Sequence, residues 1–320
     1  MDIEKLEESQ NKDIIEVLPQ DDDCIIYKIL NKTGETLMTS YKVFPGIEIV
    51  YNNVDMRKCS VILDKNNLEG NVFEINHCLE GRIECEVGGE FFYLTPGDMS
   101  INVKKNVNNE TYFPTSHYYG VSIVVDANLA PRCLSCILDD VNVEPTSIMR
   151  KFCEESDTFI IRNNSHLDHI FHELYCIPHT IRKGYFKVKV LEILLFLGGI
   201  SVDQLYSKGE RYTKSQVLLA KKVCEFLSDN MEKRITIEYL SEKFHVSTTQ
   251  LKNCFKGVYG VSIYAYIRVQ KMQTAALLIK NTERTILDIA SQYGYNNASK
   301  FAKAFKDVMG ILPNQYRKEG

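Results

Sequence analysis

Two stretches near the carboxyl end of the chain repeat one another, and this restricts the possible fold more than any other feature, because self-similarity marks a structural unit used twice. When residues 236–244 (Thr-Ile-Glu-Tyr-Leu-Ser-Glu-Lys-Phe) are set beside 285–293 (Thr-Ile-Leu-Asp-Ile-Ala-Ser-Gln-Tyr), the apolar and small positions coincide. The agreement continues at Leu251, Phe255, Lys256, Val258 and Gly260, which line up with Phe301, Phe305, Lys306, Val308 and Gly310 after one extra residue in the second turn. Each unit reads as a short helix, a tight polar turn and a second helix. The turns are His245-Val246-Ser247 and Gly294-Tyr295-Asn296-Asn297, and Ser247 and Asn297 are the N-cap candidates. Helix-turn-helix is thus predicted twice. Between the units, residues 263–279 contain neither Gly nor Pro and predict a helix about 25 Å long. With a hairpin at each end, it can bring two second helices near the ~34 Å spacing of successive major grooves.

Charge supports the same direction. Residues 211–320 hold 18 Lys+Arg against 9 Asp+Glu, a balance of +9, whereas the first 210 hold 20 against 33, a balance of −13. Such asymmetry suggests that the basic part meets a polyanion. A second helix entering the major groove needs polar side chains early and exposed. In the first unit these are Thr248, Thr249, Gln250, Lys252 and Asn253; in the second they are Asn297, Ser299, Lys300 and Lys303. Asn and Gln can pair with adenine and Lys with guanine. Lys256, Lys306 and Arg317 suit phosphates, which position a protein without specifying sequence.

At these residues the chain resembles the AraC/XylS family of bacterial transcription regulators. The resemblance rests on Leu251-Lys252-Asn253-Cys254-Phe255-Lys256, Arg268, Ala275-Ala276-Leu277-Leu278, Ile286-Leu287-Asp288-Ile289-Ala290, Gly294-Tyr295, Ser299-Lys300-Phe301, Phe305-Lys306, Gly310, Pro313 and Tyr316-Arg317, and spans about residues 213–318. It implies base contacts at Thr249, Lys252, Asn253, Ser299 and Lys303. One departure is Asn253, where the family often carries Arg, so a bidentate guanine reader is missing from the first unit.

The first two-thirds read differently. Residues 24–30, 82–87, 91–94 and 119–125 are β-rich, with turn signals at Asn66-Asn67, Gly88-Gly89 and Pro96-Gly97-Asp98, as in an antiparallel sandwich or barrel. From 128 to 200 the period becomes helical, most clearly at 166–177 and 185–197, and 201–212 reads as a linker. The family resemblance extends loosely here and implies a cupin-like barrel followed by dimerising helices. The first cupin motif offers only His77, with Leu79 where a second His would stand, and the second motif offers no ligand, so no metal or other cofactor is expected. A closed apolar pocket for a small-molecule effector is the expectation, with Phe73, His77, Phe92 and Tyr93 as candidate lining. His166, His169 and His172 recur every third residue, but the first and last lie about 120° apart around a helix, which favours an exposed face over a metal site. Cys133 and Cys136 form a single Cys-x-x-Cys without a second pair. The helix at 185–197 is either plain core or a dimer seam.

The sequence therefore predicts an α+β protein: a cupin-like effector-sensing and dimerisation domain at 1–200, a linker at 201–212, and an all-α DNA-binding domain with two helix-turn-helix units at 213–320. The longest apolar run, residues 193–200, is too short to cross a membrane. The acidic start of the chain lacks a secretory signal, and ten dispersed cysteines suit a reducing compartment, so a cytoplasmic location is expected. The expected function is a transcription regulator, an activator, with double-stranded DNA, a small-molecule effector, a second copy of the chain and RNA polymerase as partners. An alternative keeps the DNA-binding role and gives the first domain a partner protein as its signal. An enzyme with an appended DNA-binding domain is disfavoured because no nucleophile–base pair or metal triad stands out.

Overall fold

The computed structural model describes residues 13–21, 23–59, 71–87, 89–104, 111–134, 141–154, 156–205, 210–233 and 235–318. Asn66, Asn67, Gly88, Cys136 and residues 206–209 of the expected linker lie outside them. The chain divides into two compact units, Met1–Arg211 and Tyr212–Gly320.

The first unit is built on an eight-stranded antiparallel sheet. In chain order its strands are β1 (Ile14–Asp21), β2 (Cys24–Asn31), β3 (Gly34–Phe44), β4 (Ile47–Met56), β6 (Val72–Gly81), β9 (Met99–Lys104), β11 (Tyr118–Asp126) and β12 (Thr158–Ile161), with β5 (Lys58–Cys59), β7 (Ile83–Val87), β8 (Glu90–Leu94) and β10 (Thr111–Tyr112) outside it. The spatial order is β1-β2-β3-β4-β11-β6-β9-β12. Period-two alternation assigns the faces. Along β6, Phe73, Ile75 and His77 turn to one side, and Asn76 and Cys78 to the other. Three helices cover the first side: α1 (Pro145–Cys153), α2 (Ser165–Leu174) and α3 (Arg182–Gly199). Their Ile148, Phe152, Leu167, Phe171, Phe186, Val190, Ile193 and Leu197 close a core with Ile47, Ile49, Phe73, Ile75, Val121 and Ile123 of the sheet. On the opposite side Ile29, Val54, Met56, Cys78, Leu94, Phe113 and Tyr118 pack together. Asn52, Ser122, Asn76 and Tyr118 form a buried hydrogen-bonded chain there: the Asn52 amide donates to Ser122, and Ser122 and Tyr118 both donate to Asn76 Oδ1. Each of these groups would be costly to bury unpaired.

The region from 128 to 200, where the period becomes helical, also contains a strand. β12 pairs antiparallel with β9, Phe159 opposite Ile101 and Ile161 opposite Met99, and extends the sheet by one strand. Helix α2 ends at Leu174, short of the expected 177, because Pro178 follows and an X-Pro step disfavours helical backbone before it. A single 3₁₀ turn, His179–Ile181, then leads into α3. Within the expected linker, Val202–Leu205 forms a short helix, α4.

The second unit begins with the extended pair Tyr212–Thr213 and continues as helices α5 (Lys214–Asp229), α6 (Ile237–Phe244), α7 (Thr248–Tyr259), α8 (Ile263–Asn281), α9 (Ile286–Gln292), α10 (Ala298–Met309) and α11 (Pro313–Lys318). Thr213 and Gln216 open α5 with a reciprocal capping box. The long helix α8 joins two helical hairpins, α6–α7 and α9–α10. Its amino-terminal end packs Tyr266 edge-on against Phe255 and tilted against Tyr259, with ring centroids 5.5 and 5.1 Å apart. Its carboxy-terminal end puts Met272, Ala275, Ala276 and Ile279 into a core with Ile289, Ala290, Phe301 and Phe305.

Candidate nucleic-acid interface

The duplication in the sequence extends to the backbone caps. Thr236 and Thr285 each open a hairpin, accepting from the main-chain N–H of Tyr239 and of Asp288. The first helix of each then ends in the same Schellman closure. In one, Val246 N–H donates to Ser241 O and His245 N–H to Glu242 O; in the other, Tyr295 N–H donates to Ala290 O and Gly294 N–H to Ser291 O. His245 and Gly294 hold the left-handed position these closures require, at φ 54° and 83°. Glycine enters it without steric cost and histidine less readily. Ser247 and Asn297 cap the second helices, and Gly260 and Gly310 end them at φ 77° and 82°.

These caps fix which way each second helix turns. Along α7 the buried residues are Leu251, Cys254, Phe255, Gly257, Val258 and Tyr259; along α10 they are Phe301, Ala304 and Phe305. The opposite faces are therefore set by the helical period. Thr249, Gln250, Lys252, Asn253 and Lys256 are exposed on α7, with Thr248 half-buried at its start; Ser299, Lys300, Lys303 and Lys306 are exposed on α10, and so is Asn297 just before it. Helix α7 contains no acidic residue, and the one acid of α10, Asp307, is paired with Arg268 of α8. The second helix of each hairpin thus presents mainly lysines and neutral polar groups, its one carboxylate, Asp307, being ion-paired.

Two expected contact residues are placed differently. Asn297 Oδ1 already accepts from the main-chain N–H of Ser299 (2.8 Å) and of Lys300 (3.2 Å). A bidentate adenine contact needs that oxygen, so Asn297 is a helix cap here rather than a two-point base reader. Arg317 is half-buried and donates to Ile279 O (3.2 Å) and Arg284 O (2.6 Å), binding α11 to the end of α8. It closes the carbonyl end of the long helix instead of standing free for a phosphate. A second cation is committed in the same way: Lys271 Nζ donates to Tyr293 O (3.0 Å), and burial lowers its pKa. Sequence spacing alone does not separate such tethering cations from exposed ones.

The four candidate effector residues do not come together. Phe73 lies in the core between sheet and helices, while Phe92 and Tyr93 are on the separate β7–β8 hairpin. The Tyr93 hydroxyl donates to Glu84, and the Arg82 guanidinium lies over its ring. His77 is 1% exposed and stacks on Phe171 at 4.8 Å, with its ring nitrogens against Asp168 Oδ1 (3.0 Å) and the Tyr175 hydroxyl (3.2 Å). None of the four lines the cavity of about 290 Å³ in this unit. Among the described residues no group of three or more His, Cys, Asp or Glu is placed to hold a metal; His169 is 78% exposed, pointing to solvent.

His77 carries a pH prediction. Burial pushes its pKa below the ordinary value, outweighing the pull of Asp168, so the folded chain keeps the ring neutral. The unfolded chain protonates as pH falls through about 6.5. Because the unfolded state then binds the extra proton, this contribution to stability is full above that pH and is lost on acidification. The melting temperature of the chain should fall between about pH 7.5 and pH 5.5, and His77→Gln should flatten that slope; equal slopes for both proteins would exclude the ring as its source.

Comparison with known proteins bears on this geometry. A family model described as a helix-turn-helix domain matches residues 240–319. The multiple antibiotic resistance protein MarA of Escherichia coli K12 is 30% identical over 95 residues, which are 30% of this chain and 75% of MarA. The chain belongs to the AraC/XylS family of transcription regulators. The uncharacterized HTH-type transcriptional regulator YdiP of E. coli K12 is 32% identical over 36% of this chain, and the chain spans only 37% of YdiP's own length. The lactose operon transcription activator of Staphylococcus xylosus is 24% identical over 72% of this chain and 77% of that protein. The AraC-type helix-turn-helix domain supports DNA-binding transcription regulation. No helix among the described residues is long and apolar enough to cross a membrane.

Proposed function

We propose that this AraC/XylS-family protein is a sequence-specific activator in which α6–α7 and α9–α10 act as two helix-turn-helix units, each setting its second helix into a major groove of one duplex. The observation that carries this reading is the pair of exposed faces on α7 and α10 that present lysines and neutral polar groups, the one acid, Asp307 of α10, being paired with Arg268, on two hairpins with matching caps. Helix α8 has 19 residues, about 28 Å at 1.5 Å per residue, which suits grooves ~34 Å apart. Thr249, Lys252, Asn253, Ser299 and Lys303 are assigned to bases, Lys256, Lys300 and Lys306 to phosphates. Thr248 and Gln250 stand at the groove entrance.

The first unit, residues 1–211, is read as a cupin-like domain that senses a small-molecule effector. The effector shifts regulation by binding one arrangement of the protein more tightly than another. A homodimer seam on α3 is supported by Val188 and Leu195, which are 58% and 47% exposed and seven residues apart on one helix face, with Ile181, 53% exposed, just before the helix. Activation, with RNA polymerase as partner, follows the likeness to the lactose operon activator.

The test is binding to an operator selected from random duplexes. Affinity should fall steeply with salt, as expected when lysines release counterions from phosphates. Lys303→Ala should cost about tenfold in affinity, or relax the preference at one base pair, within the about 1–3 kcal/mol range of a base contact. Unchanged affinity and preference would remove Lys303 from the interface, and salt-insensitive binding would remove the whole face.

A further inference from the structure

We infer that the half-site is chemically lopsided: the chain reads an adenine in the groove that takes α7 and a guanine in the groove that takes α10, through Asn253 and Lys303. This deepens the two-hairpin reading of DNA and rests on it. The two side chains hold the same place in the duplicated unit. Each is the sixth residue of its helix, counted from Thr248 and from Ala298, behind the caps Ser247 and Asn297. Each lies between two buried residues, Leu251 and Phe255 in α7, Phe301 and Phe305 in α10. At about 100° per residue, Thr249, Asn253 and Lys256 fall within about 60° of one another, opposite that buried side. Ser299, Lys303 and Lys306 do the same on α10, and all six are exposed. The neighbours along each face are matched, a hydroxyl one turn before the centre and a lysine three residues after it. Only the centre differs, an amide in one unit and an ammonium in the other.

Both central groups are available to a base. Among the described residues neither the Asn253 amide nor the Lys303 ammonium has a hydrogen-bond or ion-pair partner. Asn297, Lys271 and Arg317, by contrast, are held by the fold. Adenine shows the major groove an acceptor, N7, beside a donor, its N6 amino group, and a carboxamide offers one of each in return. Guanine shows two acceptors there, N7 and O6, one of which would meet the Asn253 Oδ1. An ammonium has donors and no acceptor, so Lys303 suits both guanine atoms and meets the adenine amino group donor to donor. Helix α10 contains no Asn or Gln, and the Asn297 oxygen is engaged at its cap, so no amide on that helix competes for adenine. On α7, Gln250 lies about 60° to one side of Asn253 and Lys252 about 100° to the other, which directs them to different base pairs. The half-site is therefore not a repeat of itself, and the chain lies along it in one direction only.

The test is selection of the full chain on random duplexes, followed by binding isotherms at fixed salt. The selected site should carry an adenine and a guanine about 10 bp apart. Replacing that adenine by guanine, or that guanine by adenine, should each weaken the unaltered chain about tenfold, a measurement that needs no variant protein. Asn253→Arg should move the preference at the first position from adenine to guanine and leave the second as it was. Lys303→Gln should move the second from guanine to adenine and leave the first as it was. The same base at both positions, tolerance of either replaced duplex within about twofold, or preferences that the variants do not move would overturn the assignment. The outcomes also separate the two readings. A chain that enriches a two-part site of other bases loses this assignment alone, whereas one that enriches no sequence loses the two-hairpin reading and this assignment with it.

Discussion

A Phe301→Ala chain is expected to lose about 3–5 kcal/mol of stability in its second unit and, with it, most operator binding. Phe301 is fully buried, edge-on to Tyr295 at 5.5 Å and tilted against Phe305 at 5.8 Å, and it packs into the core that Met272, Ala275, Ile279 and Ile289 complete. Removing the ring leaves a hole between α8, α9 and α10 that short helices of seven and twelve residues cannot close by shifting without breaking their caps. Since domain stabilities run to about 5–15 kcal/mol, a loss of this size leaves the second hairpin poorly populated. Urea unfolding followed by helical circular dichroism measures it. A loss below about 1 kcal/mol would mean that α10 is not anchored by this ring.

Asn297→Asp separates stability from recognition. Aspartate caps a helix as well as asparagine, so Ser299 N–H and Lys300 N–H keep their acceptor and the melting temperature should hold within a few degrees. The new charge, however, stands at the exposed amino end of α10, beside the face proposed to meet DNA. Like-charge juxtaposition of this kind costs several kcal/mol in an interface, and an expected loss of about 2–3 kcal/mol is a drop of about 30- to 150-fold in operator affinity. The measurement is a binding isotherm at fixed salt alongside a thermal melt. An intact affinity would place the start of α10 away from the duplex.

The carboxy-terminal architecture was legible because its signals are local. Thr236, Ser247, Thr285 and Asn297 cap their own helices, Gly260 and Gly310 end theirs, and Leu251, Phe255, Phe301 and Phe305 recur at the spacing that buries one helix face. The one-residue difference between the turns was visible too: Val246 alone separates the left-handed His245 from its following cap, whereas Tyr295 and Asn296 separate Gly294 from Asn297. What sequence could not decide was the use of a side chain with two possible partners. Asn297 suits a cap and a base reader equally by residue type, and only its Oδ1 accepting from two main-chain N–H groups separates them; Arg317 has the character of any surface cation, and only its two carbonyl partners set it apart.

In the first unit the missing information was non-local. Alternation along β6 put Phe73 and His77 on one face, but nothing near them in sequence says that Phe171, almost a hundred residues on, stacks over His77. The cavity of this unit is lined by Tyr41, Tyr51, Tyr119 and Tyr175, from β3, β4, β11 and the end of α2, and its Tyr51–Leu174 hydrogen bond spans 123 residues. A usable hint was composition, 18 tyrosines and no tryptophan, although it does not say which tyrosines converge. Four-residue β12 was hidden for a related reason: Thr-Phe-Ile-Ile has no period long enough to tell a strand from a helix turn, and its identity comes from pairing with β9.

Hydroxyl-radical footprinting of the full chain on a duplex carrying one selected half-site tests the central claim most directly. Two protected patches per bound chain, about 10 bp apart on the same face of the duplex, are the expected result, one lost on Lys252→Ala and the other on Lys303→Ala. A single patch, or a pair that both lysine variants leave untouched, would contradict the placement of two hairpins in successive major grooves.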